Sequence, residues 1–378
     1  MGAGPAGAAA AYFLSQAGQK VVVLEKASPP RYKACGGGLS VQMLAKYFPF
    51  SFEPVFDLQV RSISYALGSR FVAVPVPHNP MRMVMRDRFD AFLLSHVNAE
   101  VHTGALVNRV RETHSGVRVE TADGSIYEGR YLIAADGANS VVAHELGLRR
   151  RRTMLGAIEA EPRVPPDVEA RFSDGPVFIV GEFRNGYVWI FPKSDHLSVG
   201  AGALHPKAGE LQAVLQRVMA RYGISLEGVP LHGHPIPIYT HREPIATART
   251  FLVGDAAGLV DPFSGEGIRL AIKSSRLAAD AILSGHPEQY SRQVYRQIGI
   301  NHTVGWIVVW LFSTLQELCF ALFVPNPAVA QAFLDMLSDQ VSYVDILAVG
   351  LITLPGALWT QAVKLLGTLF GGKKQPAV

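Results

Sequence analysis

The sequence predicts a mixed α/β and α+β protein, in which a parallel sheet is joined to a second sheet and a helical C-terminal region. Three observations predict this class: a glycine fingerprint at the start, apolar strand-like runs that end in Asp-Gly or Gly-Asp, and a long apolar stretch after residue 300. With 378 residues, 49% of them hydrophobic, the chain is large enough for two or three cores.

The composition argues against several classes of protein. The formal net charge is only +4 and no basic stripe with interleaved aromatic residues is present, so we expect no nucleic-acid partner. Cys35 and Cys319 supply neither a disulfide framework nor a metal cluster, and His232 and His234 are interpreted as loop residues without a metal. We expect a cytoplasmic protein, with peripheral contact to the inner membrane face as an alternative.

The chain opens with the pattern G-x-G-x-x-G at Gly2, Gly4 and Gly7. In such a fingerprint the first glycine makes a tight turn, the second admits a pyrophosphate and the third allows a helix to contact the sheet. A helix and an apolar strand are predicted next, over residues 5–18 and 20–25. Glu25 ends that strand, where an acid would hold a ribose hydroxyl, so the region is predicted to be Rossmann-like.

A buried strand normally precedes this fingerprint, yet only Met1 stands before Gly2. A parallel sheet without its central strand would expose both neighbouring strands. We therefore expect the first strand to be truncated here, with the natural chain starting about 5–10 residues upstream, the length of one typical strand.

Residues 35–97 contain a glycine-rich segment, a strand-like segment and the start of a helix. Cys35 is followed by three glycines, Gly36, Gly37 and Gly38, which favour neither helix nor strand and leave bare backbone that a flat ligand can approach. An ordinary flexible loop is the alternative. Residues 56–80 alternate like strands of a second domain. Arg86 stands before a predicted helix at 89–97, where it either contacts a cofactor or pairs with Asp90.

Strand signals dominate the middle of the chain. Short strands are predicted at 105–111 and 117–120, with a hairpin turn at Asp123-Gly124, and an apolar strand from Tyr131 ends at Asp136-Gly137. Further strands occupy about 153–202 and a helix about 208–222. Within them, the aromatic residues of one strand share a face at period two, opposite small residues of the next strand: Tyr187, Trp189, Phe191, Gly200 and Gly202. Either this is a core strand, or an apolar groove lies above the aromatic rings.

The last strand signal, at 250–253, ends at Gly254-Asp255. A turn then opens a helix predicted at 267–284, whose free amides could face an anionic ring edge. The turn residues of interest are Pro262, Gly265 and Gly267. An acid at a strand end and several free amides suit a polyol chain and an electron-accepting ring better than they suit a plain turn.

The region beyond residue 290 is apolar and helical. The predicted helices at 304–315 and 318–324 are interrupted by Gln316 and Glu317. Residues 346–370 are long enough to cross a bilayer, but Pro355, Gln361 and Lys364 interrupt the apolar run. We interpret the region as a monotopic helix pair or as the walls of an apolar tunnel, in preference to a membrane span.

These motifs resemble a known family. The fingerprint, Asp136-Gly137 and Gly254-Asp255 resemble the FAD-dependent superfamily typified by p-hydroxybenzoate hydroxylase, over about residues 1–285. The Cys-Gly-Gly-Gly-Leu-Ser run at 35–40 and the Tyr-x-Trp-x-Phe-Pro motif at 187–192, followed by Gly-x-Gly at 200–202, resemble the geranylgeranyl reductase family.

The resemblance implies FAD as cofactor and assigns roles to residues. Implied FAD-binding residues are Gly2, Gly4, Gly7, Glu25, Cys35, Gly36, Gly37, Gly38, Arg86, Asp136, Gly254, Asp255, Pro262, Gly265 and Gly267. Implied catalytic residues are Cys35, Tyr187 and Trp189, and implied prenyl-binding residues are Tyr187, Trp189, Phe191, Gly200 and Gly202. The corresponding domains are 1–56, 84–148 and 242–290 for FAD, 57–83 and 149–241 for the substrate, and 291–378 for the apolar C-terminal region.

The expected activity is saturation of C=C bonds in a geranylgeranyl or polyprenyl chain of a lipid, a chlorophyll-type pigment or a quinone. The alternatives are an FAD-dependent monooxygenase, a halogenase, whose Trp-x-Trp-x-Ile-Pro signature resembles residues 187–192, and a flavoprotein that only carries a prenyl lipid. The electron donor, NAD(P)H or ferredoxin, is left open, and so is the proton donor, for which Cys35, water and the flavin are the candidates.

Overall fold

The computed structural model describes residues 1–76 and 81–370, and gives only the helical backbone for 362–370. Parts of two predicted ranges, 77–80 of the substrate domain and 371–378 of the C-terminal region, lie outside the described residues.

The nucleotide-binding region is a parallel sheet in two halves. Val22–Glu25 pairs with Glu100–Thr103, and Leu132–Ala134 pairs with Thr250–Leu252. Met1 and Gly2 lie between the halves: the Gly2 amide donates to the Leu24 carbonyl (2.7 Å) and the Ala135 amide to the Met1 carbonyl (2.9 Å). These two residues stand where a central strand is expected, and the upstream strand stays a prediction.

Two helices pack closely on this sheet. Pro5–Gln16 contacts Ile268–Leu283, and the Ser275 hydroxyl donates to the Ala6 carbonyl at 2.7 Å. Both agree with the predicted helices apart from one or two terminal residues. The other elements of this region are helices Arg86–Ser95 and Val141–Glu145 and antiparallel strands Val107–Glu112, Val117–Thr121 and Ile126–Gly129. The strand Glu100–Thr103 was not predicted.

The second sheet has seven strands. In spatial order they are His232–Ile238, Thr153–Ala160, Leu197–Leu204, Gly186–Pro192, Val177–Val180, Ser62–Leu67 and Arg70–Pro75. Neighbours are antiparallel except for the parallel pair Val177–Val180 and Ser62–Leu67. Val188 and Ile190 pack with Leu215 and Val218 of helix Glu210–Arg221 on one face, so the aromatic residues of the same strand lie on the other. We call Gly186–Pro192 the aromatic strand.

A three-stranded sheet joins the two regions. Met81–Val84 lies between Gly38–Ser40 and Phe56–Val60, and helix Val41–Tyr47 follows the first of these strands. The strands of the seven-stranded sheet fall within the predicted substrate ranges. The three-stranded sheet instead combines strands from both predicted domains, and the domain division stays a prediction.

The C-terminal region is helical as predicted. Its helices are Tyr290–Val294, Ile300–Thr314, Gln316–Leu322, Pro327–Leu337 and Tyr343–Phe370. The short helix Pro166–Ala170 is not part of this region and lies between two strands of the seven-stranded sheet. The chain bends by 105° between Thr314 and Gln316. Among the described residues, one helix, Tyr343–Gln361, has the length and apolar composition to cross a membrane, and 17% of it is buried within the protein.

Candidate functional site

The loop at residues 31–37, here called the cover loop, lies across the aromatic face of the seven-stranded sheet. Its Tyr32 ring packs against His232 with centroids 4.7 Å apart, and Lys33 Nζ lies 2.5 Å from His234 Nε2. Further along, Gly36 contacts the Phe191 ring so closely that an added Cβ would lie 2.4 Å from two ring carbons. The loop therefore crosses from the sheet edge to the aromatic strand.

The interpretation of His232 and His234 as loop residues is wrong. Both belong to the edge strand His232–Ile238, whose alternation is hidden because Gly233, Pro235 and Pro237 occupy the intervening positions. The pKa of His234 is lowered to about 4, first by burial and then by the Lys33 charge, so its imidazole is neutral at pH 7. Burial lowers the Lys33 pKa to about 8.

Two of the three glycines after Cys35 are required by contacts within the protein. Gly37 has a φ of +70°, and a Cβ there would lie 2.2 Å from the Val84 carbonyl oxygen. Gly36 is pressed against Phe191, while Gly38 begins a strand and has ordinary space around it. Gly36 and Gly37 allow the loop to pack closely on its neighbours, and the approach of a flat ligand to this backbone stays a prediction.

Lys193, which was not predicted as a site residue, anchors the cover loop through hydrogen bonds to backbone carbonyls. It follows the Tyr-x-Trp-x-Phe-Pro motif directly, is fully buried, and donates from Nζ to the carbonyls of Gly36 and Val84, both at 2.8 Å. Burial lowers the pKa of this amine. The available signal was a single lysine in an otherwise apolar strand end, which is a weak indication without the fold.

The indole of Trp189 fills the space above Gly200. A Cβ at Gly200 would lie 2.1 Å from Trp189 Cζ2, because the two residues are directly opposite in neighbouring strands. The indole itself therefore occupies the space above Gly200, and the groove predicted above the aromatic rings stays a prediction. At Gly202, an added Cβ would lie 3.0 Å from Leu155 Cδ2. The buried Trp189 Nε1 has no hydrogen-bond partner among the described residues.

Tyr187 joins the aromatic strand to the turn at 261–267. Its hydroxyl donates to the Ser264 carbonyl at 2.7 Å, and a Cβ at Gly265, where φ is +71°, would lie 2.9 Å from that hydroxyl. Pro262 lies in the same turn, and Asp261 Oδ1 accepts from the Phe263 and Ser264 amides. The turn, the aromatic strand and the cover loop therefore converge.

Asp255 has the environment expected of a ligand-binding acid. Gly254, with φ +55°, turns the chain after the strand, and Gly267 is so close that an added Cβ would lie 3.4 Å from Asp255 Oδ1. Burial raises the Asp255 pKa, while Lys33 and Arg86 act against that rise. No hydrogen bond from any described residue reaches its carboxylate, which leaves acceptor atoms for a hydroxyl-bearing chain.

The fingerprint fits a dinucleotide. A Cβ at Gly2 would lie 2.3 Å from the Ala135 carbonyl oxygen, and one at Gly7 would lie 1.8 Å from that of Gly2. Gly4 differs, because its nearest neighbour is Arg31 Nη2 at 3.5 Å. The helix begins there without a side-chain cap, so its free amides and a guanidinium face the same space, as an anion requires.

Glu25 and Arg86, which lie near the fingerprint, already have hydrogen-bond partners within the protein. Glu25 accepts from the Ala3 amide at 2.6 Å and the Ala27 amide at 2.9 Å, which fixes its carboxylate beside the glycines. Arg86 and Asp90 form a bidentate pair with both contacts at 2.9 Å, one of the two roles left open for Arg86. Direct contact between either residue and FAD stays a prediction.

Asp136 stabilises the start of a short helix, whose N-cap is Ser140. Its carboxylate accepts from the Ser140 hydroxyl at 2.7 Å and from the Val142 amide at 3.2 Å, at the start of Val141–Glu145. Capping explains why an acid follows this strand end. The predicted position of Asp136 near the pyrophosphate is untested and stays a prediction.

The second and third glycines of the fingerprint, Gly4 and Gly7, separate the requirements of the fold from those of ligand binding. We expect Gly4→Ala to leave the melting temperature of the FAD-free protein within a few degrees of wild type, because its Cβ meets only ordinary contacts. The same methyl should weaken FAD binding at least about tenfold by blocking close approach of the pyrophosphate. Gly7→Ala, whose Cβ collides with backbone, should lower the melting temperature itself. Calorimetry and FAD titration check both; unchanged FAD affinity in Gly4→Ala would contradict this assignment.

Comparison with known proteins agrees with this geometry. Residues 68–286 match the family described as FAD binding domain, and residues 1–53 match the NAD(P)-binding Rossmann-like domain. The chain is 29% identical to the chloroplastic geranylgeranyl diphosphate reductase of Oryza sativa over 90% of this chain and 78% of the relative. It is 30% identical to the menaquinone reductase of Mycolicibacterium smegmatis over 77% of each chain.

Solved structures share the fold. A geranylgeranyl bacteriochlorophyll reductase-like protein from Thermoplasma acidophilum superposes with a TM-score of 0.75 at 22% identity, covering 95% of this chain and 96% of that one. A halogenase in complex with FAD superposes with a TM-score of 0.68 at 17% identity, covering 89% of this chain and 81% of that one. From the matched domain and the relatives, this chain belongs to the geranylgeranyl reductase family of FAD-dependent oxidoreductases.

Proposed function

We propose that this protein saturates C=C bonds of a geranylgeranyl or polyprenyl chain. The observation that carries the proposal is the direct contact between the cover loop and the aromatic strand, at Gly36 and Phe191. The loop carries Cys35, beside which the flavin ring is expected, and the strand presents rings suited to an apolar chain. A flavin held at this loop and an isoprenoid bound on this strand would therefore lie next to each other.

The chemistry of the substrate sets what the residues must do. An isolated trisubstituted alkene has no carbonyl to polarise it, so a hydride and a proton must both be delivered. Bound reduced FAD would supply the hydride. Tyr187 and Trp189 would stabilise positive character at the tertiary carbon through their ring faces, and the buried strand would exclude water.

The named relatives support this substrate class. One is a geranylgeranyl diphosphate reductase and another a menaquinone reductase, so a prenylated diphosphate, pigment or quinone suits the proposal. Saturation adds two hydrogens per double bond. The experiment is mass spectrometry of lipids, quinones and pigments from cells with and without this protein; loss of hydrogenated species without it supports the proposal, and identical profiles contradict it.

A monooxygenase or a halogenase is the second candidate, favoured by the FAD scaffold and by the halogenase of similar fold. In the halogenase signature the first and fifth positions are Trp and Ile, where this chain has Tyr187 and Phe191. The product separates the two classes, because these alternatives add oxygen or halogen and consume oxygen. The electron donor, NAD(P)H or a ferredoxin, is open in either case.

We also propose peripheral contact with a lipid surface. The C-terminal helices expose large apolar side chains: Ile307, Trp310 and Leu318 on the bent pair, and Leu351, Ile352 and Trp359 on the last helix. Ile352 and Trp359 are 77% and 73% exposed. A tryptophan-bearing apolar helix face is typical of interfacial binding, and a prenyl lipid would enter from such a surface.

The double exchange Ile352→Gln with Trp359→Gln tests this contact. It should lower co-sedimentation with phosphatidylcholine–phosphatidylglycerol vesicles at least about tenfold, because each buried side chain contributes about 1.5–3 kcal/mol. The matched control is Leu106→Gln with Ile126→Gln, which removes two exposed apolar residues from the nucleotide-binding region. Equal sedimentation of both double variants and wild type would contradict the proposal.

A further inference from the structure

Glu159 is a buried acid on the aromatic face of the sheet. It lies near the end of Thr153–Ala160, directly opposite Gly200 on one side and His232 on the other. Because Gly200 is in turn opposite Trp189, the carboxylate shares a face with the indole, with the Gly200 strand between them. Only 3% of Glu159 is exposed.

The cover loop lies over this acid. Lys33 of the loop, Glu161 after its own strand and Lys193 after the aromatic strand act on the Glu159 charge, and Glu159 in turn acts on Tyr32. His232 lies opposite it on the neighbouring strand. The acid and the aromatic rings therefore lie on the sheet face that the loop crosses, and the loop carries Cys35, beside which the flavin is expected. None of the roles described above uses Glu159.

The contacts of Glu159 differ from those of a structural acid. Among the described residues, the hydrogen bond to its carboxylate comes from the Ser198 hydroxyl, at 3.0 Å from Oε1. Burial raises its pKa to about 7, and the Ser198 hydrogen bond opposes that rise. An acid buried without a direct ion pair costs stability, so its presence beside a reactive site indicates a functional use.

We propose that Glu159 is the acid that protonates the alkene, an inference that rests on the proposed function. The Glu159 proton would go to one alkene carbon, which bonds to it through the π electrons of the double bond. The other carbon would take a hydride, with its electron pair, which bound reduced FAD would supply. Saturation would leave Glu159 as a carboxylate, which water reprotonates, and an external reductant would restore the flavin.

The test compares wild type, Glu159→Gln and Glu161→Gln, each loaded with FAD and reduced by dithionite without oxygen. Geranylgeranyl diphosphate is the substrate, and flavin absorbance and product mass are followed. Glu159→Gln keeps the acceptor for Ser198 but cannot donate a proton as an acid, so oxidation of its flavin by substrate should slow about 10²–10⁴-fold. Glu161→Gln should stay within about threefold of wild type.

Further measurements separate proton donation from a structural role. The wild-type rate should fall as pH rises above about 7, where the protonated form is lost, and the residual rate of Glu159→Gln should not show that fall. Without substrate, infrared titration should show a carboxylic-acid C=O band near neutral pH that Glu159→Gln lacks. Glu159→Asp, which keeps an acid, should recover part of the rate.

The outcomes are distinct. If wild type saturates the prenyl chain and Glu159→Gln does so equally fast, the inference fails and the proposed function stands. A missing carboxylic-acid band at pH 6 in wild type also overturns it, whatever the substrate. If wild type oxidises no flavin with any prenyl substrate, the proposed function fails and takes the inference with it.

Discussion

Replacing Asp339 by asparagine is expected to lower the free energy of unfolding by about 3–5 kcal/mol. Asp339 accepts from Lys46 at 3.0 Å, Tyr47 at 3.0 Å, Lys273 at 2.6 Å and Arg269 at 3.2 Å. Arg269 and Asp339 are largely buried, so the exchange leaves cations without their shared counter-charge. Urea unfolding checks the value, and a change below about 0.5 kcal/mol would contradict it.

The same interaction predicts the acid limit of the fold. Although burial alone would raise it, the Asp339 pKa is lowered to about 2 by Lys273, Arg269 and Lys46. A carboxylate with a depressed folded pKa contributes stability above its unfolded value, near 3.8, and loses it as pH falls toward 2. That part of the acid transition should be smaller in Asp339→Asn. Asp335→Asn, on the adjacent helix, is the control.

Asp339 connects the C-terminal region to two helices that adjoin the candidate site. Lys46 and Tyr47 end the helix that follows Gly38–Ser40, and Arg269 and Lys273 lie in the helix that follows the turn at 261–267. Tyr343 adds a second connection, donating to Asp261 Oδ1 at 2.8 Å. The C-terminal region is therefore fastened to the elements that would hold the flavin.

Gly200→Ala is expected to lower turnover of a prenyl substrate about 10²-fold while FAD still binds. Its Cβ would lie 2.1 Å from Trp189 Cζ2 and 2.4 Å from the Ile158 carbonyl oxygen, so the indole must move. A displacement of about 1 Å at a positioning group costs on the order of 10²-fold in rate. Turnover under anaerobic conditions, with flavin content measured in parallel, checks the prediction.

Gly202→Ala is the matched control on the same strand. Its Cβ would meet the flexible end of Leu155 at 3.0 Å, which can give way. Although the resemblance places Gly202 at the prenyl site, we expect turnover within about threefold of wild type, because the added methyl meets Leu155 and leaves Trp189 in place. Equal loss of turnover in both variants would mean that the strand as a whole is disturbed, and an active Gly200→Ala would remove Trp189 from the site.

The sequence allowed the fold to be predicted where its signals are local. The spacing of Gly2, Gly4 and Gly7 is enough to predict the turn between strand and helix. The period-two alternation of Tyr187, Trp189 and Phe191 is enough to predict that these side chains share a face. The helix at Ile268–Leu283 and the C-terminal helices follow from apolar periodicity in the same way. These features depend on residues close in sequence.

What could not be predicted depends on residues that are distant in sequence. Lys193 contacts Gly36 across 157 positions, and Lys46 contacts Asp339 across 293, so neither partner is visible before the chain folds. Glu159 looked like any acid in a strand until its neighbours were known. The strand Glu100–Thr103 is short and polar, and only its pairing with Val22–Glu25 identifies it.

The central claim is tested most directly by mixing dithionite-reduced protein with geranylgeranyl diphosphate in the absence of oxygen. We predict that oxidised-flavin absorbance returns and that the product gains two hydrogens for each flavin oxidised. A flavin that stays reduced until oxygen is admitted, with a product that gains oxygen, would contradict the account.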